Sequence, residues 1–109
     1  MNAIIRGTTP TIKFTFDTIE SADLNEAFIV VKSVNDLETA IIKHDITDAT
    51  TGVDYIQWKL TQTDTLKLTA GDTVNVYCDW TITDGDPMTR GRSQVATCRV
   101  FETGVDEVI

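Results

Sequence analysis

The sequence predicts an all-β protein built as an antiparallel β-sandwich, and three observations carry that expectation. Residues 73–83 alternate without a break: Val74, Val76, Cys78, Trp80 and Ile82 hold one parity, and Thr73, Asn75, Tyr77, Asp79, Thr81 and Thr83 hold the other. Successive side chains on a strand point to opposite faces, so this segment has one apolar wall and one polar wall. That is the pattern of a half-buried strand in an antiparallel sheet. Similar runs recur along most of the chain at short spacing, divided by Gly, Pro, Asn and Asp. No segment carries the 3.6-residue apolar period of a long amphipathic helix.

Each element follows from its residues. Residues 3–6 suit an edge strand, closed by Gly7-Thr8-Thr9-Pro10, because Pro cannot donate to a central ladder. Residues 11–16 place Ile12, Phe14 and Phe16 on one face and Thr11, Lys13 and Thr15 on the other. Residues 17–26 are polar, with Ser21, Asp23 and Asn25, and read as a loop containing at most a helical turn. Residues 28–34 are apolar on both parities as far as Lys32, which predicts a central or doubly covered strand. Asn35-Asp36 suits a tight turn, since both residues tolerate left-handed backbone. Residues 38–46 set Ala40, Ile42, His44 and Ile46 on one parity, and residues 47–52 form a turn cluster. Residues 54–60 oppose Ile56, Trp58 and Leu60 to Tyr55, Gln57 and Lys59.

The period of two fails at residues 61–68. Thr61 suits a helix N-cap, and Asp64, three residues later, completes a loose capping box at the positive end of the turn. Leu66 and Leu68 then plug the bottom of a sandwich, and Gly71-Asp72 turns the chain into the strand described first. Asp84-Gly85-Asp86-Pro87 is a strong turn signal. The last strand spans residues 92–101, with Ala96, Cys98 and Val100 on one face. Val95 falls on the other, a mixed parity that a bulge near Val95 reconciles. The tail, residues 103–109, is expected to be peripheral.

These readings amount to about seven strands with one short helical turn near 61–66, the profile of an immunoglobulin-like sandwich. A small barrel is the other closed solution. The antibody-type Cys-Trp-Cys spacing is absent, because both cysteines fall on the last two strands. A chain of 109 residues reads as one domain, 1–109, and a domain of that size buries roughly two-thirds of its unfolded surface. Cys78 and Cys98 sit within apolar strand patterns and read as reduced, buried thiols. A bridge between them would require both to face inward at one level. The net charge of −8, with its scattered cations, argues against a nucleic-acid partner. No charged start precedes a long apolar run and no apolar run approaches ~20 residues, so no membrane partner is expected and the chain reads as folded in a cytoplasm.

Candidate chemistry is sparse, and no catalytic, cofactor-binding or metal-ligating residue is assigned. His44 is the sole histidine, and its neighbour Asp45 points to the opposite face of a strand. Ser21, Ser33 and Ser93 lie in no nucleophile elbow, so an acid–base–nucleophile constellation is not legible. Asp84 and Asp86, or Asp45, Asp48 and Asp54, offer oxygen ligands for Ca²⁺, but neither set has the spacing of a calcium loop. One histidine and two separated cysteines do not make a zinc site. Trp58, Trp80 and Tyr77 are the candidates for a sugar-stacking platform. The two tryptophans share parity with core residues, while Tyr77 and Tyr55 lie on the polar parity and read as exposed. Residues 84–92, with Met88, Arg90 and two glycines, suit either a protruding hairpin loop that touches a neighbouring subunit or a flexible, solvated loop.

Two segments together carry a family resemblance. One is Ile5-Arg6-Gly7-Thr8-Thr9-Pro10-Thr11-Ile12-Lys13-Phe14-Thr15-Phe16. The other is Trp58-Lys59-Leu60-Thr61-Gln62-Thr63-Asp64-Thr65-Leu66-Lys67-Leu68, followed by Gly71 and an alternating strand ending in Thr83-Asp84-Gly85. They resemble small structural proteins of the tail region of phages and prophages of Gram-positive bacteria. More loosely, they resemble the immunoglobulin-like N-terminal domain of phage baseplate upper proteins. The resemblance covers about residues 5–100 and rests on strand-and-turn patterns, so no functional residue transfers. It implies a non-enzymatic virion component, assembled in the bacterial cytoplasm, with other phage structural proteins and further copies of itself as partners. A carbohydrate- or host-surface-binding β-sandwich module is the alternative.

Overall fold

Alternation becomes pairing in a computed structural model that describes residues 3–16, 20, 23–82 and 89–102. Its elements are β1 (Ala3–Ile5), β2 (Thr11–Thr15), β3 (Leu24–Ser33), β4 (Ala40–Asp45), β5 (Thr50–Thr51), β6 (Tyr55–Lys59), α1 (Gln62–Leu66), β7 (Thr73–Ile82), β8 (Thr89–Arg92) and β9 (Ala96–Phe101). They form two sheets. The larger has the order β1-β9-β7-β3-β4, with β8 also on β7; the smaller has the order β2-β6-β5. The inward parities of both sheets meet in one core. Ile12, Phe14 and Ile56 come from the smaller sheet, and Ile29, Val31, Ile42, Val76, Cys78 and Val100 from the larger. The architecture is the all-β sandwich that the sequence predicts, with nine strands among the described residues against the seven expected.

Three differences have identifiable physical causes. The polar stretch read as a loop is partly strand: β3 begins at Leu24 because Leu24, Glu26 and Ala27 pair with Ile82, Thr81 and Trp80 of β7. Ladder hydrogen bonds satisfy that backbone whatever its side chains, and Asn25 and Glu26 remain exposed. β1 runs parallel to β9, with Ala3 opposite Arg99 and Ile5 opposite Phe101, so the larger sheet is mixed and not purely antiparallel. The segment 84–92 is not loop throughout, since Thr89–Arg92 is strand paired with Asp79–Ile82. Its turn at 84–87, and the tail 103–109, lie outside the described residues.

The expected bulge is present. Asp79 pairs with Arg92 and Val76 with Ala96, so Tyr77 and Cys78 face the three residues Ser93, Gln94 and Val95. Ser93 N donates to Cys78 O (2.8 Å), and Ser93 Oγ accepts from Cys78 N (2.9 Å), replacing the carbonyl that the extra residue displaces. Gly91 lies inward against Trp80, where a Cβ would collide with the indole.

The capping box also forms. Thr61 Oγ1 accepts from Asp64 N (3.1 Å), and Asp64 Oδ2 accepts from Thr61 N (3.3 Å). Leu68 is buried and plugs the sandwich as expected, while Leu66 is only half-buried. Cys78 and Cys98 both face the core and are free thiols. Cys98 pairs with Val74, four residues along β7 from Cys78, so the two sulfurs do not share a level.

Candidate functional site

The polar groups that chemistry would need are grouped at the end of the sandwich where α1 sits. His44 projects from β4 on the inward parity, beside Ile42, and its Nε2 donates to Asp64 Oδ1 (2.8 Å). A carboxylate only accepts, so Nε2 carries the proton in this pair. Asp64 is 3% exposed and thus joins the helix cap to the larger sheet. Burial pushes its carboxyl up, but hydrogen bonds from His44 and from the side chain and backbone of Thr61 outweigh that, holding it below the usual carboxylate range. The Trp58 ring lies 6.3 Å from the imidazole, and its buried Nε1 has no partner among the described residues. Among the described residues the bonds of this pair tie the α1 cap to β4, and no serine or cysteine hydrogen-bonds to either member.

A second knot lies at the other end of α1. The Arg6 Nε donates to Leu68 O (2.7 Å) and Nη2 to Leu66 O (3.0 Å), satisfying carbonyls that a helix end leaves open. Nη1 reaches the Glu102 carboxylate at 2.9 and 3.1 Å. Thr65 Oγ1 donates to Thr8 O (2.9 Å) and accepts from Gly7 N (3.0 Å), with Gly7 at φ +79° in the left-handed region that favours glycine. Leu60 N donates to Pro10 O (2.9 Å), and β2 pairs with β6 from Thr11 opposite Lys59 to Thr15 opposite Tyr55. The two segments quoted for the family resemblance are therefore bound to each other, and their distinctive polar residues build the fold.

The outer face of the larger sheet has a different character. Lys32, Lys43, Arg90, Arg92 and Arg99 lie on it, against Glu26, Asp45 and Asp79. The Arg92 guanidinium is 4.0 Å from the centre of the Tyr77 ring, and its Nε donates to Asp79 Oδ1 (2.7 Å), a bond that raises the Arg92 pKa further. Lys43 stands 5.5 Å from the Phe28 ring. Tyr77, expected to be exposed, is 4% exposed: it is on the polar parity, but the Arg92 stem and guanidinium cover it. Trp80 turns inward and meets Phe16 edge-on at 6.3 Å. Trp58, Trp80 and Tyr77 thus share no common face.

Of the candidate calcium ligands, Asp45, Asp48 and Asp54 are not brought together as a metal site. Asp45 is hydrogen-bonded to the hydroxyl and backbone N of Thr47, and those bonds lower its pKa. Asp84 and Asp86 lie outside the described residues. Among the described residues no three His, Cys, Asp or Glu side chains group as metal ligands. Burial pushes the Cys78 thiol up to about 12 and raises that of Cys98, so neither is a ready nucleophile. No helix of the described residues is long and apolar enough to cross a membrane. Sequence reasoning missed the His44–Asp64 bond and the Arg6 cap, since both join residues distant in the chain; only the capping-box spacing hinted that Asp64 had structural work. Comparison of the chain with protein-family models, with curated proteins and with solved structures finds no match to any of them.

Proposed function

We propose that this chain is a non-enzymatic structural component of a phage or prophage particle, of its tail or baseplate region, that works by protein–protein assembly. One observation carries the reading. Five of the nine cationic side chains stand on the outer face of the larger sheet, against three acidic ones, Glu26, Asp45 and Asp79, among the described residues. Among the described residues the face is net positive on a chain whose total charge is −8, and the other described acidic residues fall in connections and ends, apart from Asp64 in α1. A basic sheet face and acidic loops on one molecule are complementary between copies, in a contact that uses two different surfaces. Such a heterologous contact builds a ring where its rotation closes and a helical stack where it does not, and both suit a particle tail. The resemblance in residues 5–100 supports the same class, and its partners are other phage structural proteins and further copies of this chain. It is made in the bacterial cytoplasm and ends in the virion.

Mass spectrometry of particles purified from an induced lysogen encoding this chain tests the proposal. Peptides of this chain are expected in washed particles, alongside those of the tail. Their absence from washed particles, with the chain present in the lysate, would overturn it.

A further inference from the structure

A groove of about 500 Å³ separates the edge of the smaller sheet from the bulge in the larger one. One wall is β2, which among the described residues has a strand neighbour only on its β6 side. The other is residues 93–96, where the bulge leaves the Val95 backbone outside the ladder and its side chain 47% exposed. β1 covers β9 only from Arg99 to Phe101, so the upper part of this seam is open.

The hydrogen-bond parity of β2 says what fits there. Pro10 O accepts from Leu60 N and Phe16 N donates to Asp54 O, so the even residues of β2 direct their main-chain groups to β6. Those of Thr11, Lys13 and Thr15 therefore point outward, with no partner among the described residues. We propose that the seam is a strand-addition site, which takes an extended segment of a neighbouring chain antiparallel to β2. The inference rests on the assembly reading for the source of that segment, and on the seam alone for its recognition.

The side chains lining the seam specify the occupant. Residues of the incoming strand opposite Thr11, Lys13 and Thr15 share the outer face with them. Lys13, held 4.1 Å from the centre of the Tyr55 ring, is the one charge among the described residues lining the groove and calls for a carboxylate opposite it. The two residues between face inward, over Ile12, Phe14 and Ala96, and are apolar. A second copy of β2 does not satisfy this, because full two-fold overlap sets Lys13 against Lys13.

The test is amide hydrogen exchange on the full chain with a capped peptide probe, Ser-Thr-Val-Asp-Val-Thr-Ser. Two control peptides accompany it, one N-methylated on its bonding amides and one with Lys in place of Asp. The Asp peptide is expected to slow exchange at Thr11, Lys13 and Thr15 about tenfold or more, the N-methylated peptide not at all, and the Lys peptide less. The variant Thr15→Pro removes an outward N–H without touching the β2–β6 ladder, and is expected to keep the fold and weaken binding. Unchanged exchange at those three amides with millimolar Asp peptide would overturn the proposal. Equal binding of the N-methylated peptide would also overturn it, as would protection that depends on protein concentration without peptide, which would assign the seam to a second copy. Binding by a chain absent from particles would leave the seam standing and remove the assembly reading, and the converse result would do the reverse.

Discussion

Thr65 tests whether the bond between the chain's N-terminal segment and α1 stabilises the fold. Its side chain is fully buried, and its hydroxyl accepts from the N–H of Gly7 and donates to the carbonyl of Thr8 (2.9 Å), with the Gln62 carbonyl a longer second acceptor at 3.3 Å. Thr65→Val keeps the shape and the β-branch but removes both hydrogen bonds. Two half-buried backbone groups then lose their partner, at about 1 kcal/mol each, for a loss of about 2 kcal/mol. Thr65→Ser keeps both bonds and removes one buried methyl, at about 1 kcal/mol. Helix propensity separates the three residues little, so it does not decide the order. Urea unfolding followed by circular dichroism, with the slope checked for constancy, measures both losses. The Val variant should also melt roughly 10 °C lower in a domain of this size. A Val variant as stable as the parent, or more stable than the Ser variant, would show that packing and not the hydroxyl holds this junction.

Asp64 gives a pH dependence with a defined sign. Its folded pKa is below the unfolded value, so its stabilisation is complete above the ordinary Asp range near 3.8 and is lost as pH falls through the folded pKa. The stability gap between the parent and Asp64→Asn, read from urea midpoints, should therefore shrink as pH falls below about 4. A gap that grew on acidification would contradict the sign. Both cysteines should resist a thiol reagent in the native state and react fully in urea, since burial and a raised pKa keep the thiolate away from solvent. Rapid native labelling of either would refute their placement. Gly91→Ala should cost about 1–3 kcal/mol, because the new Cβ forces the Trp80 indole out of its contact with Phe16. A neutral substitution with unshifted tryptophan emission would refute that contact.

Much of the fold is legible because its signals are local. Strand parity in β2, β6 and β7, the bulge near Val95 and the Thr61–Asp64 cap each depend on residues within a few positions of one another. Readings failed where burial or pairing came from afar. Tyr77 sits on a polar parity yet is buried, because Arg92, fifteen residues later, lies over its ring. Residues 24–26 look like loop yet are strand, because β7 supplies the ladder partners.

The candidate functional surfaces divide in the same way. The sequence by itself determined the all-β class, most of the inward residues and the local cap, since these follow from side-chain alternation and backbone conformation between near neighbours, whereas the register decided that Cys78 and Cys98 stay apart. Only the tertiary structure decided that His44 meets Asp64, that the cations gather on one sheet face, and that β2 is left with an unpaired edge beside the Val95 bulge. Those are consequences of strand order and register, which set which distant main-chain and side-chain groups find partners and which remain open to another chain.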